Sequence, residues 1–472
     1  MATKRFTLHP DRYLDPNPAV RKIARELYRT VKDLPIISPH GHVDPNLFVK
    51  NEPFPDPAQL FIVPDHYIFR MLHAQGIPLE RMGVPTRDGS QVEKDPREIW
   101  QLFADHYHLF RGTPSGVWMD AELANVLGLR EKLTKKNAQR VYDFIQKKLG
   151  TKEFRPRALF ERFKIAVLAT TDAATDTLEA HKAMRADGWK GRVIPTFRPD
   201  GLTNLLDPSW KSSVRRLGEL TGRDVTNYRL YIKGLEERRS FFKSMGAVAT
   251  DHGIQTPYTH ELTERESEEI FGRALRGLTT AQDAAMFTAH MLMEMARMSS
   301  EDGLVMQIHA GALRNHHTGT FKRFGPDKGF DIPAATEYVS NLRALTEKFG
   351  NHPALRIILF TLDETTYARE LAPLAGVYPA LKVGPAWWFH DSIEGMFRYR
   401  ANIMESAGLY NTAGFNDDTR AFLSIPARHE LSRRMDSNWV ASLIARHMVS
   451  KEEGRDMIHE LTNGLVKKAY GL

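Results

Sequence analysis

The chain has 472 residues, 42% apolar, 10% aromatic and 26% charged, an ordinary globular composition with enough apolar mass for a large core, which excludes intrinsic disorder. Sixty-five Lys and Arg against fifty-eight Asp and Glu give a formal charge of +7, too small an excess to indicate nucleic acid but compatible with a small anionic substrate. Cysteine is absent, so disulfides, thiol nucleophiles and thiolate metal sites are excluded, and any metal must rest on His and carboxylates.

Residues 1–12 are polar and lack the apolar stretch of a secretory signal, and no apolar run approaches the roughly 18 residues of a membrane span. The chain therefore reads as cytoplasmic, with no membrane partner. Its densest basic stretches, Lys132 to Lys136 and Arg433-Arg434, are short and read as solvated helix faces.

Eight short apolar or β-branched runs follow one another along the chain, at 34–38, 165–170, 192–197, 246–250, 304–308, 356–361, 381–386 and 409–415. Each ends in polar residues and leads into a helix-like stretch, the pattern of parallel strands buried on both faces. Eight such strands alternating with helices predict an α/β chain folded as a (β/α)₈ TIM-type barrel. About 125 residues separate the first two runs, where later intervals are about 25 to 55, so a large insertion follows the first strand. It reads as mostly helical, with apolar periodicity over 65–74, 96–107 and 138–149, after an extended proline-rich connector at 51–57. The expected division is 1–44 for the N-terminal segment and first strand, 45–160 for the helical insertion, and 161–472 for the rest of the barrel with C-terminal helices.

Barrel enzymes keep their chemistry at the C-terminal ends of the strands. The first run ends Ser38-Pro39-His40-Gly41-His42, and residues two apart on an extended strand point the same way, so both imidazoles can reach one metal on the barrel axis. The fifth run leads to His309, a third nitrogen ligand or a core histidine bonded to backbone. The eighth leads to Asp417-Asp418, of which one faces inward, to bind metal or move a proton. The fourth ends Asp251-His252 with no lysine, which argues against a carbamylated two-metal hydrolase site. Arg198 ends the third run, and its planar fork suits a carboxylate, although a structural salt bridge is the competing reading. Trp387 and Trp388, adjacent at a strand end, must diverge, so at most one faces a substrate. Asp65-His66-Tyr67 reads equally as a helix cap followed by packing residues. His316 and His317 read as exposed loop histidines.

A His-x-His after strand one, a His after strand five and an Asp after strand eight resemble the amidohydrolase superfamily. Within it, the chain is most similar to the uronate (glucuronate) isomerase family. The resemblance rests on Asp65-His66-Tyr67 with Arg70, Thr170-Thr171-Asp172, Phe197-Arg198-Pro199-Asp200, Asp251-His252, and the string from His309 to Arg314-Asn315. Ala386-Trp387-Trp388-Phe389 with Asp391 and Gly395-Met396, and Asp418 with Arg420-Ala421-Phe422-Leu423-Ser424, complete it. The chain departs from the family pattern at Ser38, Pro39, Gly41, Asn416, Asp417 and His390, positions that flank the ligand candidates.

The resemblance implies one divalent metal ion, expected to be zinc, held by His40, His42 and Asp418, with His309 as a further ligand candidate. It places Tyr67 and Arg420 at the reacting end of a sugar acid, offers Arg198 and Arg314 for its carboxylate, and lines the pocket with His66, Trp387 and Trp388. The implied reaction is aldose–ketose isomerisation of a hexuronate through a cis-enediol, with Asp418 or Tyr67 taking the C2 proton, the metal or a nearby His such as His309 stabilising the oxygen, and Arg420 assisting. Tyr67 would need its pKa lowered to act as a base. A homo-oligomer is the expected assembly. The alternative is a one-metal amidohydrolase-superfamily enzyme acting on another sugar acid or small acid, by hydrolysis or another proton transfer.

Overall fold

The computed structural model describes residues 6–472. Its strands are β1 (Ile36–Ser38), β2 (Ile165–Ala169), β3 (Asp172–Ala173), β4 (Val193–Ile194), β5 (Phe197–Arg198), β6 (Ala249–Ile254), β7 (Val305–Ala310), β8 (Ala312–Leu313), β9 (Ile332–Pro333), β10 (Ile357–Thr361) and β11 (Leu381–Val383). β1, β2 and β4 form one parallel sheet, and β3, β5, β6, β7, β10 and β11 another. β2 and β3 are halves of one run, as are β4 and β5, which flank Pro195, a residue with no N–H for a ladder. The two sheets are therefore successive stretches of one ring, followed in chain order, as a TIM-type barrel requires. A small antiparallel pair, β8 with β9, stands above β7.

Two of the expected runs need correction. The fourth lies at Ala249–Ile254 rather than 246–250, because Gly246, at φ 88°, is still turning out of the preceding helix. The eighth forms no strand: Leu409–Asn411 is a 3₁₀ turn, and only Thr412 bridges Val383. Gly408 and Gly414, both at positive φ, bend the chain at either side of it. Among the described residues no ladder joins this eighth position to β1, and the backbone link across that seam is His42 N–H to the Thr419 carbonyl, 3.0 Å.

Side-chain alternation sorts the strands into an inside and an outside. Ile37, Val167, Ala169, Ile194, Ala249, Val305, Ile358 and Phe360 meet in the barrel interior. Their neighbours Met306, Ile308, Ile357 and Leu359 pack outward beneath the helices. Tyr470, near the C-terminus, closes the interior from below, its hydroxyl donating to Gln307 Oε1 at 2.9 Å.

Between β1 and β2 the chain is helical, including Pro57–Phe61, His66–His73, Pro96–Asp105, Pro114–Ala121 and Ala138–Leu149. Asp56, Asp95 and Thr113 cap three of these with a proline at the first helical position, which fixes where each begins. Phe61, Phe69, Trp100, Phe103 and Tyr142 share a core with Phe422 and Ile425, so this segment is packed against the loop that carries Asp418 and Arg420.

Arg433 and Arg434, read from sequence as solvated, are buried. Helix Ile425–Ala445 is enclosed on all sides, and the two guanidinium groups there satisfy the carbonyls of Lys32, Pro35 and Pro10. Lys135 and Lys136 are exposed, in a loop rather than on a helix. No described helix is long and apolar enough to cross a membrane.

Candidate active site

Three side chains converge, His40 and His309 from barrel strand ends and Asp418 from the loop at the eighth position. One ligand atom each from His40, His309 and Asp418 lies within 4.8 Å of the others. The rings of His40 and His309 stack with centroids 4.6 Å apart. Asp418 Oδ1 stands 3.4 Å from His40 Nε2 and 3.1 Å from His42 Nε2. His42 thus touches the same carboxylate without joining the compact trio.

Each member is held from behind. His309 Nδ1 lies 2.6 Å from Asp251 Oδ1, a bond that assigns the proton to Nδ1 and leaves Nε2 with a lone pair. That Nε2 is buried and has no hydrogen-bond partner, and neither has Asp418 Oδ1. Asp418 Oδ2 accepts from Trp387 Nε1 at 2.5 Å. The Asp418 backbone sits at φ 39°, a strained conformation for a residue with a Cβ and one typical of sites where geometry is imposed by the surroundings. Asp417 turns away: its Oδ2 accepts from His429 Nε2 at 2.9 Å.

Electrostatics agree with a cation-ready site. Burial pushes the Asp418 carboxyl up, but the two imidazoles outweigh it and hold it well below the usual range. For Asp251 the same contest is won by Arg198 and His309. Burial lowers His309 and His42, favouring neutral, ligating imidazole. In His40 the Asp418 charge overcomes burial and raises the pKa. Nitrogen and oxygen donors, two of them buried and unpartnered, suit a divalent transition metal.

Beside the trio opens a cavity of about 460 Å³, walled by His66, Tyr67, Trp387, Trp388, Arg314 and Arg420 among others. A second, wider space of about 1050 Å³ contains Arg198 and shares His42, Arg314 and Arg420 with the first. Both tryptophans face the first cavity, contrary to the expected divergence. The strand ends at Val383, so Trp387 and Trp388 lie in a turn, where side chains do not alternate. Trp388 stacks on Phe389 and meets His66 edge-on at 5.2 Å.

Asp65 caps helix His66–His73 by accepting from Tyr67 N–H at 2.8 Å, and the same turn aims His66 and Tyr67 into the cavity, so both readings of this motif hold together. Burial takes His66 down to about 3, so it is neutral. Burial, reinforced by Asp391, drives Tyr67 well above 10, the reverse of what a tyrosine base needs. The arginines differ in engagement. Arg198 binds Asp200 at 2.7 Å and reaches Asp251 at 3.4 Å. Arg314 pairs with Asp331 at 2.7 Å and Arg420 with Asp327 at 2.9 Å, both remaining substantially exposed to the cavities. His316 and His317 are exposed, with His317 capping the helix that follows.

The chain as a whole has known relatives. Residues 13–469 match the family model described as glucuronate isomerase. The chain belongs to that family.

Among curated relatives, the uronate isomerase of Nostoc punctiforme is 52% identical over the full length of both chains. That of Mesorhizobium japonicum is 53% identical over 98% of this chain and 99% of its own. The crystal structure of glucuronate isomerase from Caulobacter crescentus superposes with a TM-score of 0.97 at 50% identity, covering 99% of this chain and 97% of the other. Uronate isomerase from Thermotoga maritima gives 0.92 at 28%, covering 98% and 99%.

Sequence reasoning missed Arg428 and the part played by Asp391. Arg428 lines the floor of the cavity, is 4% exposed, and lies 3.6 Å from the Trp118 ring centroid. It donates to Asp391 Oδ2 at 3.1 Å and to the Asp417 carbonyl at 3.3 Å. Its helix is charged and apolar on every face, so no periodicity marks the residue; only its spacing of four from Ser424, which also accepts from it, hints at a role.

Proposed function

We propose that the chain interconverts a hexuronate aldose and its 2-keto form, D-glucuronate with D-fructuronate, D-galacturonate with D-tagaturonate, or both. The observation that carries this is one cavity joining the His40, His309 and Asp418 trio to Tyr67 and two partly free arginines, in a chain of the glucuronate isomerase family. His40, His309 and Asp418, with His42 at the edge, would hold one zinc ion, since imidazole nitrogens and a carboxylate oxygen suit it. Bound there, the ion supplies Lewis-acid stabilisation of charge developing on a sugar oxygen.

The residues divide the remaining work. Asp418, held ionised, is the candidate for the C2 proton; Tyr67, held protonated, exchanges protons with the oxygens as a neutral group. Arg314 offers its fork to the substrate carboxylate, and Arg420 stands next to Asp418 to bind an oxygen. Arg198 has a second task available, since its charge keeps Asp251 ionised behind His309. His66, Trp387 and Trp388 wall the cavity and limit water. Cytoplasmic location and the absence of a nucleic-acid or membrane partner, read from the sequence, and assembly as a homo-oligomer, implied by the family resemblance, belong to the same proposal.

Proton NMR of the metal-loaded protein with glucuronate and galacturonate in deuterated water tests this reading. New ketose signals with deuterium entering the sugar support it. Loaded protein that produces neither from either sugar overturns it.

A further inference from the structure

Behind the cavity wall three side chains form a continuous line. The Tyr67 hydroxyl faces Asp391 Oδ2 at 3.4 Å, and Arg428 Nη1 donates to that same oxygen at 3.1 Å. Asp391 and Arg428 are buried, while Tyr67 is partly exposed and lines the cavity. The Arg428 guanidinium also sits 5.4 Å from the Tyr67 ring centroid and rests on Trp118, which meets Tyr67 edge to face at 5.6 Å. Both the phenol and the carboxyl are therefore oriented by rigid packing. A hydroxyl that donates inward to Asp391 presents its oxygen lone pairs to the cavity, ready to accept from a sugar hydroxyl.

We infer that Asp391 is the inner terminus of a proton relay through Tyr67, with Arg428 holding it in place. The inference rests on the isomerase reading above. In the forward step the substrate O2–H bond breaks and its proton forms a bond to Tyr67 Oη. The original Tyr67 proton passes at the same time to Asp391 Oδ2. Tyr67 ends neutral, Asp391 ends protonated, and the negative charge stays on the substrate oxygens. Reversal of the two transfers delivers a proton to O1, so the relay finishes unchanged and the net movement is O2 to O1.

The arrangement removes a difficulty that arises if Tyr67 acts alone. Tyr67 is buried enough that its phenolate is strongly disfavoured. A relay never forms the phenolate, because each proton that arrives displaces another. Asp391 is suited to the inner end: burial raises its pKa, with Arg428 opposing the rise, a direction that helps it hold the proton it receives. Arg428 is a positioning residue, acting on the reaction through Asp391.

Steady-state kinetics of Asp391→Asn, Tyr67→Phe and the double variant, each with its metal content and melting temperature, test the relay. Asp391→Asn should lower kcat about 100-fold with KM nearly unchanged, and the double variant should be no slower than Tyr67→Phe alone, because both substitutions cut one chain. Loss in the double variant equal to the product of the single losses would overturn the relay. So would Asp391→Asn turning over within threefold of the wild type. If Asp391→Asn fails to fold, Tyr67→Phe still decides, since a relay requires it to lose at least tenfold in kcat. A wild-type protein that isomerises no hexuronate overturns the isomerase reading, and the relay with it.

Discussion

His309 and Asp251, on the adjacent strands β7 and β6, meet at 2.6 Å, and that bond determines which imidazole nitrogen of His309 turns toward His40 and Asp418. A histidine free to rotate would offer either nitrogen; this one offers Nε2.

Asp251→Asn should therefore weaken metal binding about 10- to 100-fold while leaving the three neighbouring donors in place. Competition with a chromogenic chelator measures it, and an affinity equal to that of the wild type would show that Asp251 does not orient the ligand.

Removing the ion with a chelator should lower the melting temperature, and restoring zinc should recover it, as for any ligand bound only by the folded state; saturation at 1,000 times Kd contributes about 4 kcal/mol. In His40→Ala the melting temperature should no longer respond to either treatment. A full response in that variant would place the metal elsewhere.

The adjacent aspartates should separate cleanly. Asp418→Asn should reduce kcat by more than about 100-fold with the fold intact, because it removes both a candidate ligand and a charge. Asp417→Asn keeps an acceptor for His429 and should stay within about tenfold of the wild type. Circular dichroism and turnover assays on both variants check this, and the opposite ranking would reverse the roles assigned to the two residues.

Arg314→Met and Arg198→Met should fail in different ways. Arg314 is 41% exposed at its side chain, and its loss should raise KM for a uronate by about tenfold at a smaller cost in stability, since it leaves one buried carboxylate, Asp331, that keeps the Asn315 N–H as a donor. Arg198 faces Asp200 and the buried Asp251, so its loss leaves uncompensated carboxylates and should cost about 3 kcal/mol of stability. Denaturant melts and substrate titrations distinguish the two patterns.

Glu122 gives a pH prediction away from the metal trio. Burial, with Asp65 adding to it, raises its carboxyl to about 8, and it has no ion-pair partner among the described residues. The folded state then keeps a proton that the unfolded chain has released, so stability is fully present below pH 4.5 and falls as pH rises toward 8, by up to about 5 kcal/mol. Glu122→Gln should flatten this slope in melts taken between pH 5 and 8. An unchanged slope would assign the dependence to other groups.

Much of the barrel was legible because strands buried on both faces leave a plain mark: runs such as 304–308 and 356–361 are mostly apolar and reappear as β7 and β10. The eighth run was misread because composition cannot report that Gly408 and Gly414 bend the backbone on either side of Thr412. Among the site residues, His40 and His309 could be placed since strand ends project toward one axis, whereas the residues alone left Asp417 and Asp418 open and the family resemblance singled out Asp418. The pair Trp387 and Trp388 could not, since a turn has no fixed alternation. Arg428 escaped notice for a different reason: an arginine on a helix is ordinarily solvated, and only the packing of Trp118 and Asp391 around it gives this one its setting.

The seam between the eighth position and β1 ties the candidate ligand set to the integrity of the ring. His40 and His42 come from one lip of that seam and Asp418 from the other, where the backbone supplies the His42 to Thr419 bond in place of a ladder. A cation shared by the two lips would stitch together the place where the cylinder is most easily parted. Without it, slow amide exchange should be lost first at residues 36–42 and 412–420, so that emptying the site and unzipping the barrel become two descriptions of one opening motion.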